Sequence, residues 1–250
     1  MITISDVEMK AVVLAAGKGT RLISSDNDAP KVMRTACGKP LLWYVLDAIS
    51  FLDKKDIVLV VGYKKEMVTD YFDGYVYAEQ TEQLGTGHAV MAAESALRGF
   101  EGAILVCYGD MPLIKQETYE AFVHYHFDRD NDCTILTGES ANDLPYGRIL
   151  RDDKGEFDRV VEARDCTPEQ LMITELNSGV CIFRSALLFE ALKNLNTDNT
   201  QKEYYLTDVP AIMRSGGARI GLCKRDLGDE IIGVNTIEQL AIVEGVISGR

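Results

Sequence analysis

Several features are missing from this sequence, and each absence removes a class of protein. No apolar run is long enough to span a bilayer, and the first ten residues, MITISDVEMK, have neither the basic start nor the apolar stretch of a signal peptide. The cytoplasm is therefore the expected location, with no membrane partner. The six cysteines, Cys37, Cys107, Cys133, Cys166, Cys181 and Cys223, are scattered without CxxC spacing, so neither a zinc site nor a redox dithiol is indicated. They read as reduced thiols, several of them serving as small buried apolar residues. A basic excess is also missing. The 39 acidic and 26 basic residues leave a formal charge of −13, which argues against nonspecific binding to nucleic acid. No internal repeat or low-complexity linker divides the 250 residues, so one α/β domain with a mixed second half is expected.

Against this acidic background, Lys18, Arg21, Lys31, Arg34 and Lys39 are locally concentrated, with only Asp26 and Asp28 between them. They surround the stretch at residues 12–31, VVLAAGKGTRLISSDNDAPK. Its apolar run reads as a buried strand opening into a loop with Gly17 and Gly19. Backbone N–H groups in such a turn bind anions, and Arg21 and Lys31 add positive charge. A small anionic ligand such as a phosphate suits the loop. The glycines alone equally fit an ordinary strand-to-helix turn with two solvated cations. A Walker loop is excluded because G-x-x-x-x-G-K-[ST] is not supplied, and a dinucleotide fingerprint is excluded because Leu22 stands where its third glycine belongs.

Further along, apolar runs alternate with helical patterns. A helix is expected after Pro40, a strand at 57–63, a short helix at 64–72, a strand at 75–78, a helix capped by Thr86, and a strand in AILVCYGDMP. This alternation is the pattern of a largely parallel sheet covered by helices on both faces. In such sheets ligands bind beyond the carboxyl ends of the strands, where the glycine loop and Asp110 belong. The second half promises a helix at 116–127, a strand at 133–137, paired segments YGRILRD and RVVEARD, and a strand at 177–183. A helix at 185–195, another within EYYLTDVPAIM and a strand in RIGLCK follow. Capping boxes at 167–170 and 236–239 mark two helix starts, and Asn235 sits just before the second.

LAAGKGTRL, followed by APK at 29–31 and GKPL at 38–41, resembles the signature of the sugar-1-phosphate nucleotidyltransferases. EQLGTGHAV, YGDMPLI, YGRI, VVEARD, LNSGV, EYYLTD and GVNTIEQL then match in order, and together the motifs are similar to the uridyltransferase domain of the bifunctional N-acetylglucosamine-1-phosphate uridyltransferases. The resemblance runs over nearly the whole chain. It implies a Rossmann-like nucleotidyltransferase fold at 1–235 with a C-terminal helix at 236–250, and lacks the family's left-handed β-helix, so no acetyltransferase activity is expected. It also implies magnesium-dependent transfer from UTP to N-acetylglucosamine 1-phosphate, with those two small molecules as partners. The family's trimers are associated largely with the β-helix, so the oligomeric state is open.

The implied roles are specific. Leu14, Ala15, Ala16 and Gly17 would meet the nucleotide through their backbone, with Arg21 and Lys31 acting on the triphosphate. Gln80, Gly85 and Thr86 would face uracil, whose imide edge an amide with both donor and acceptor can match. Asp110, with Tyr108 and Gly109 beside it, and Asn235 would supply magnesium ligands. Gly147, Glu162 and Asn177 would line the sugar pocket, with Tyr205 and Thr207 nearby. In isolation Asp110 reads as an Asx turn and Asn235 as a helix initiator. His88 reads as structural at a helix start, and His124 and His126, two apart on a helix, point in different directions and do not share a metal. The loop SSDNDAPK is slightly longer than the usual form, leaving the placement of Lys31 open. Two alternatives stay in view, a same-fold enzyme with another sugar phosphate or nucleotide, and a nucleotide-sugar-binding regulator without turnover.

Overall fold

MKAVVL forms the first strand, β1 (Met9–Leu14), with every side chain but Lys10 buried. It belongs to a computed structural model that describes residues 4, 7–22, 28–140 and 144–249. The glycine loop leads not into a regular helix but into two 3-10 turns, Thr20–Leu22 and Lys31–Met33. A two-residue ladder, β2 (Thr35–Ala36) against β3 (Lys39–Pro40), then turns the chain into α1 (Leu41–Ala48), with Pro40 at the N-cap position. Alternation follows as β4 (Ile57–Val61), α2 (Lys65–Thr69), β5 (Val76–Glu79), α3 (Thr86–Ala92) and β6 (Ala103–Tyr108). All five residues of β4 are buried. At about 1.5–3 kcal/mol per fully buried aliphatic side chain, this burial outweighs an ordering cost of about 1–2 kcal/mol per residue.

The second half continues with α4 (Gln116–Asp128), β7 (Cys133–Glu139), β8 (Arg148–Arg151), β9 (Phe157–Val161), α5 (Pro168–Leu171), β10 (Glu175–Arg184), α6 (Ser185–Leu192), α7 (Val209–Ser215), β11 (Ile220–Arg225) and α8 (Ile237–Ser248). The main sheet has the order β11-β7-β10-β6-β1-β4-β5, with β8 pairing β10 and β9. Strands β6, β1, β4 and β5 are mutually parallel, and β7 pairs β11 in parallel, whereas β10 runs antiparallel between β6 and β7. The sheet is therefore mostly parallel with mixed pairings in its second half. Apolar cores lie on both faces, and a third, smaller cluster around Leu22, Leu41, Leu113 and Val243 seats α8.

Strand register brings distant motifs together. Leu14 pairs with Val60 on one side and Tyr108 on the other, so the chain leaves β1 beside the point where it leaves β6 for Gly109 and Asp110. Strand β10 breaks register between Asn177 and Cys181, a bulge that brings NSG alongside Tyr108. Both capping boxes form, at Thr167/Gln170 and Thr236/Gln239. Thr86, however, does not cap α3. The N-cap is Gly85 at φ +111°, and the Thr86 hydroxyl instead accepts from the N–H of Leu206 at 3.0 Å. The helix expected within EYYLTDVPAIM starts only at Val209, because Tyr204 is bonded by its N–H to Leu84 and by its carbonyl to Gly87.

Candidate active site

A cavity of about 450 Å³ opens at the carboxyl ends of β1 and β6. At its base lies a cation bound between two oxygens of different loops. The ammonium of Lys31 contacts the Asp110 carboxylate and donates to Asn235 Oδ1 at 2.7 Å. Gly19 makes this arrangement possible. It has φ +66°, and a Cβ there would lie 2.7 Å from Lys31 Cβ, so only glycine lets the loop close over Lys31. Asn235 is held from two directions. Its N–H donates to Gln239 Oε1 at 2.7 Å, and the neighbouring Val234 donates to Asp110 O at 2.9 Å. The cap of α8 is made by Thr236, so the Asn235 amide is left to face Lys31.

The glycine loop forms the next wall. Leu14, Ala16 and Gly17 line the cavity, whereas Ala15 spends its N–H on Val60 O at 2.8 Å and faces the core. The N–H groups of Gly17, Lys18 and Gly19 donate to no group among the described residues. Ala16 O accepts from Gln83 Nε2 at 2.7 Å. The Arg21 backbone lies in the first 3-10 turn, but its side chain falls outside the described residues. Not all of the basic cluster faces this wall. Lys18 lies over the Tyr63 ring, Lys39 over Trp43, and Arg34 is buried, leaving Lys31 as the cluster's described cation on the cavity.

Gln80, Gly85 and Thr86 form a third wall, with Tyr108 beside them. Gln80 Nε2 lies 3.1 Å from Gly85 O and 3.2 Å from His88 Nδ1, so both amide hydrogens have acceptors and only Oε1 is left over. Burial raises the pKa of Tyr108 well above the usual phenol range, with the negative charge of Glu162 adding to the effect, so the phenol stays neutral. Gly109 lies behind this wall, its N–H on Leu14 O and its Cα against Val32.

Opposite, Gly147, Glu162, Asn177, Tyr205 and Thr207 line the cavity together. The Thr207 hydroxyl donates to Glu162 Oε1 at 2.9 Å, and Tyr205 donates to Asp165 at 3.2 Å. Burial raises the Glu162 pKa against the opposing pull of the Thr207 hydrogen bond, and Asp208, Asp165 and Glu203 raise it further. Asn177 Oδ1 accepts from Gly179 N–H at 2.9 Å, leaving its NH2 end for the cavity. Gly147 also packs closely against β9. A Cβ there would lie 2.7 Å from Val160 Cγ1, so the missing side chain accommodates Val160 as well as the cavity.

The cavity also includes Gln83, Tyr146, Ser178, Gly179, Glu203 and Gly233, which were not singled out from sequence. All lie within the motifs quoted above, so treating each motif as a continuous wall would have found them. Tyr146 accepts from Gly233 N–H at 2.9 Å and so ties the sugar-side loop to the segment carrying Asn235. Gln201 lies outside every motif, and no sequence signal marked it.

Fold and cavity together define an α/β protein with a cavity at the carboxyl ends of its parallel strands and a lysine held on two oxygens at its corner. The chain belongs to the MobA-like NTP transferase domain family, which matches residues 11–208. It is 44% identical over 241 residues to the bifunctional protein GlmU of Streptococcus thermophilus, covering 96% of this chain and 52% of that protein. The GlmU of Streptococcus suis gives the same identity and coverage. The chain thus spans about half the length of the curated relatives it matches. In fold it is similar to a UDP-glucose pyrophosphorylase crystallised with UDP-glucose, at TM-score 0.74 and 20% identity over 96% of this chain and 98% of that one. A Bacillus anthracis protein described as a glucose-1-phosphate thymidylyltransferase superposes at TM-score 0.76 and 15% identity, over 95% of this chain and 94% of that one. No helix among the described residues is long and apolar enough to cross a membrane.

Proposed function

We propose that the protein transfers a uridylyl group from UTP to N-acetylglucosamine 1-phosphate, giving UDP-N-acetylglucosamine and pyrophosphate. A phosphate oxygen of the sugar phosphate attacks the α-phosphorus of UTP, and the bond to the bridging oxygen of pyrophosphate breaks. With a second pKa near 6, the sugar phosphate is largely dianionic at neutral pH and needs no general base. What remains for the protein is positioning and charge neutralisation.

The arrangement that supports this reading most is the Lys31 ammonium held on Asp110 and Asn235 beside the open amides of the glycine loop. Two oxygens from separate loops already hold one cation. That donor set suits magnesium, which takes one or two protein oxygens and completes its shell with water and phosphate. Asp110 and Asn235 would hold it, and when bound it neutralises charge on the reacting phosphates. Lys31 adds fixed positive charge at the same corner, and Arg21 is assigned to the triphosphate. Free amides at Gly17, Lys18 and Gly19 orient phosphate oxygens. Gln80, Gly85 and Thr86 bind the base. Glu162 and Asn177 read the sugar hydroxyls and acetamido group, with Tyr205 and Thr207 keeping Glu162 and its neighbours in place. We place this work in the cytoplasm, where the six free thiols stay reduced.

Pyrophosphate release from a panel of nucleoside triphosphates and sugar 1-phosphates, with magnesium or with chelator, tests the assignment. UTP with N-acetylglucosamine 1-phosphate should give the highest kcat/KM and chelator should abolish turnover. Preference for another pair would reject the substrate assignment, and tight UDP-N-acetylglucosamine binding without turnover would favour a regulator.

A further inference from the structure

The amide of Gln80 is 6% exposed and carries two hydrogens on one nitrogen, and two groups stand ready to receive them. Gly85 O is a carbonyl and can only accept, so the NH2 end of Gln80 must face it. His88 Nδ1 lies on that same nitrogen and must accept too. An accepting Nδ1 places the His88 ring proton on Nε2. Oε1 becomes the only polar atom that the Gln80 side chain can offer the cavity.

His88 does not itself line the cavity. It stands behind Gln80 on α3, with its ring near-parallel to that of Tyr204 at a centroid distance of 6.4 Å. Tyr204 is in turn bonded through its backbone to Leu84 and Gly87, at 2.8 Å each.

We infer that His88 is a positioning residue for base selection, acting through Gln80. This rests on the uridylyl-transfer reading and deepens it. An acceptor-only Gln80 is matched by a pyrimidine carrying a hydrogen on N3, as uracil does. Cytosine presents a lone pair at N3 and leaves the buried Oε1 facing another acceptor. Sites with such an unpaired buried group reject the wrong ligand more strongly than the loss of one bond suggests. Without His88, one hydrogen of Gln80 loses its partner and Gly85 O alone opposes the reversed amide, so the energy gap that keeps a donor from facing cytosine narrows.

The experiment compares kcat/KM for UTP and CTP in wild type, His88→Leu, His88→Asn and Gln80→Leu, each with N-acetylglucosamine 1-phosphate and magnesium. His88→Leu should lower the UTP-to-CTP ratio about tenfold, mainly through KM for UTP, with KM for the sugar phosphate unchanged. His88→Asn, whose Oδ1 can accept near the Nδ1 position, should recover most of the ratio. A ratio that holds in His88→Leu but falls in Gln80→Leu would overturn the role of His88 while leaving the base assignment intact. Equal losses in His88→Leu and His88→Asn would also overturn it, reducing His88 to packing. An unchanged ratio in Gln80→Leu would instead remove the base assignment beneath the inference. The nitrogen chemical shifts of the His88 ring in the wild-type protein give a check that no variant's folding can obscure. They should report the Nε2–H tautomer, and an Nδ1–H tautomer would contradict the inference.

Discussion

At the scale of single residues, two titratable groups carry opposite consequences. Asp110 faces Lys31 at the cation corner and has no part in the core, so Asp110→Ala should leave the melting temperature nearly unchanged while lowering turnover about a hundredfold or more, because stabilisation of phosphate charge by a metal is worth several kcal/mol. Parallel calorimetry and steady-state kinetics check this, and unaltered turnover in saturating magnesium would remove Asp110 from the site. His126 belongs to stability instead. Burial pushes its pKa down to about 4, with help from Arg184 and against the pull of Asp132 and Asp130. Its Nδ1 lies 2.8 Å from the Thr134 hydroxyl, which also accepts from Asn131. The unfolded chain protonates this histidine near 6.5, whereas the native state resists until about pH 4. Stability from this residue is therefore complete above pH 6.5 and is lost as pH falls toward 4, by up to ~1.4 kcal/mol per pH unit. Urea denaturation at pH 7.5, 6 and 5 should show this loss in wild type and a shallower one in His126→Gln. Parallel losses would contradict the prediction.

At the scale of elements, the start of α8 joins folding to the site. Gln239 Oε1 accepts from Thr236 N–H at 3.1 Å as the return half of a capping box, and from Asn235 N–H at 2.7 Å. Gln239→Leu should cost about 1 kcal/mol of stability and also raise the magnesium concentration needed for half-maximal turnover. Thr236→Ala should cost a similar stability with a smaller effect on the magnesium requirement, since the Asn235 contact survives. Equal magnesium requirements in Gln239→Leu and wild type would break the proposed link. This cap was legible in sequence because TIEQ states both partners within four residues. The start of α3 was not. Thr86 looks like a cap, but its hydroxyl is drawn to Leu206, 120 residues away, and Gly85 takes the cap position because Tyr204 O would lie 2.6 Å from any Cβ there. Local chemistry cannot announce a partner so remote.

At the scale of the molecule, alternating apolar strands and amphipathic helices were enough to read a largely parallel sheet, since each of β1, β4 and β6 carries its own uninterrupted apolar run. The antiparallel insertion of β10 between β6 and β7 was not readable, because NSGVCIF is equally apolar in either direction. The convergence of Asp110 with Asn235 came from motif order, whereas the placement of Lys31 on both depends on how the loop folds over Gly19. We propose that this cavity joins UTP to N-acetylglucosamine 1-phosphate, with Asp110 and Asn235 as the residues that would hold magnesium. The most direct measurement is product analysis after incubating the purified chain with UTP, N-acetylglucosamine 1-phosphate and magnesium. Equimolar UDP-N-acetylglucosamine and pyrophosphate, formed with magnesium and absent with chelator, is the predicted result. No nucleotide sugar with magnesium present, or the same yield in chelator, would contradict it.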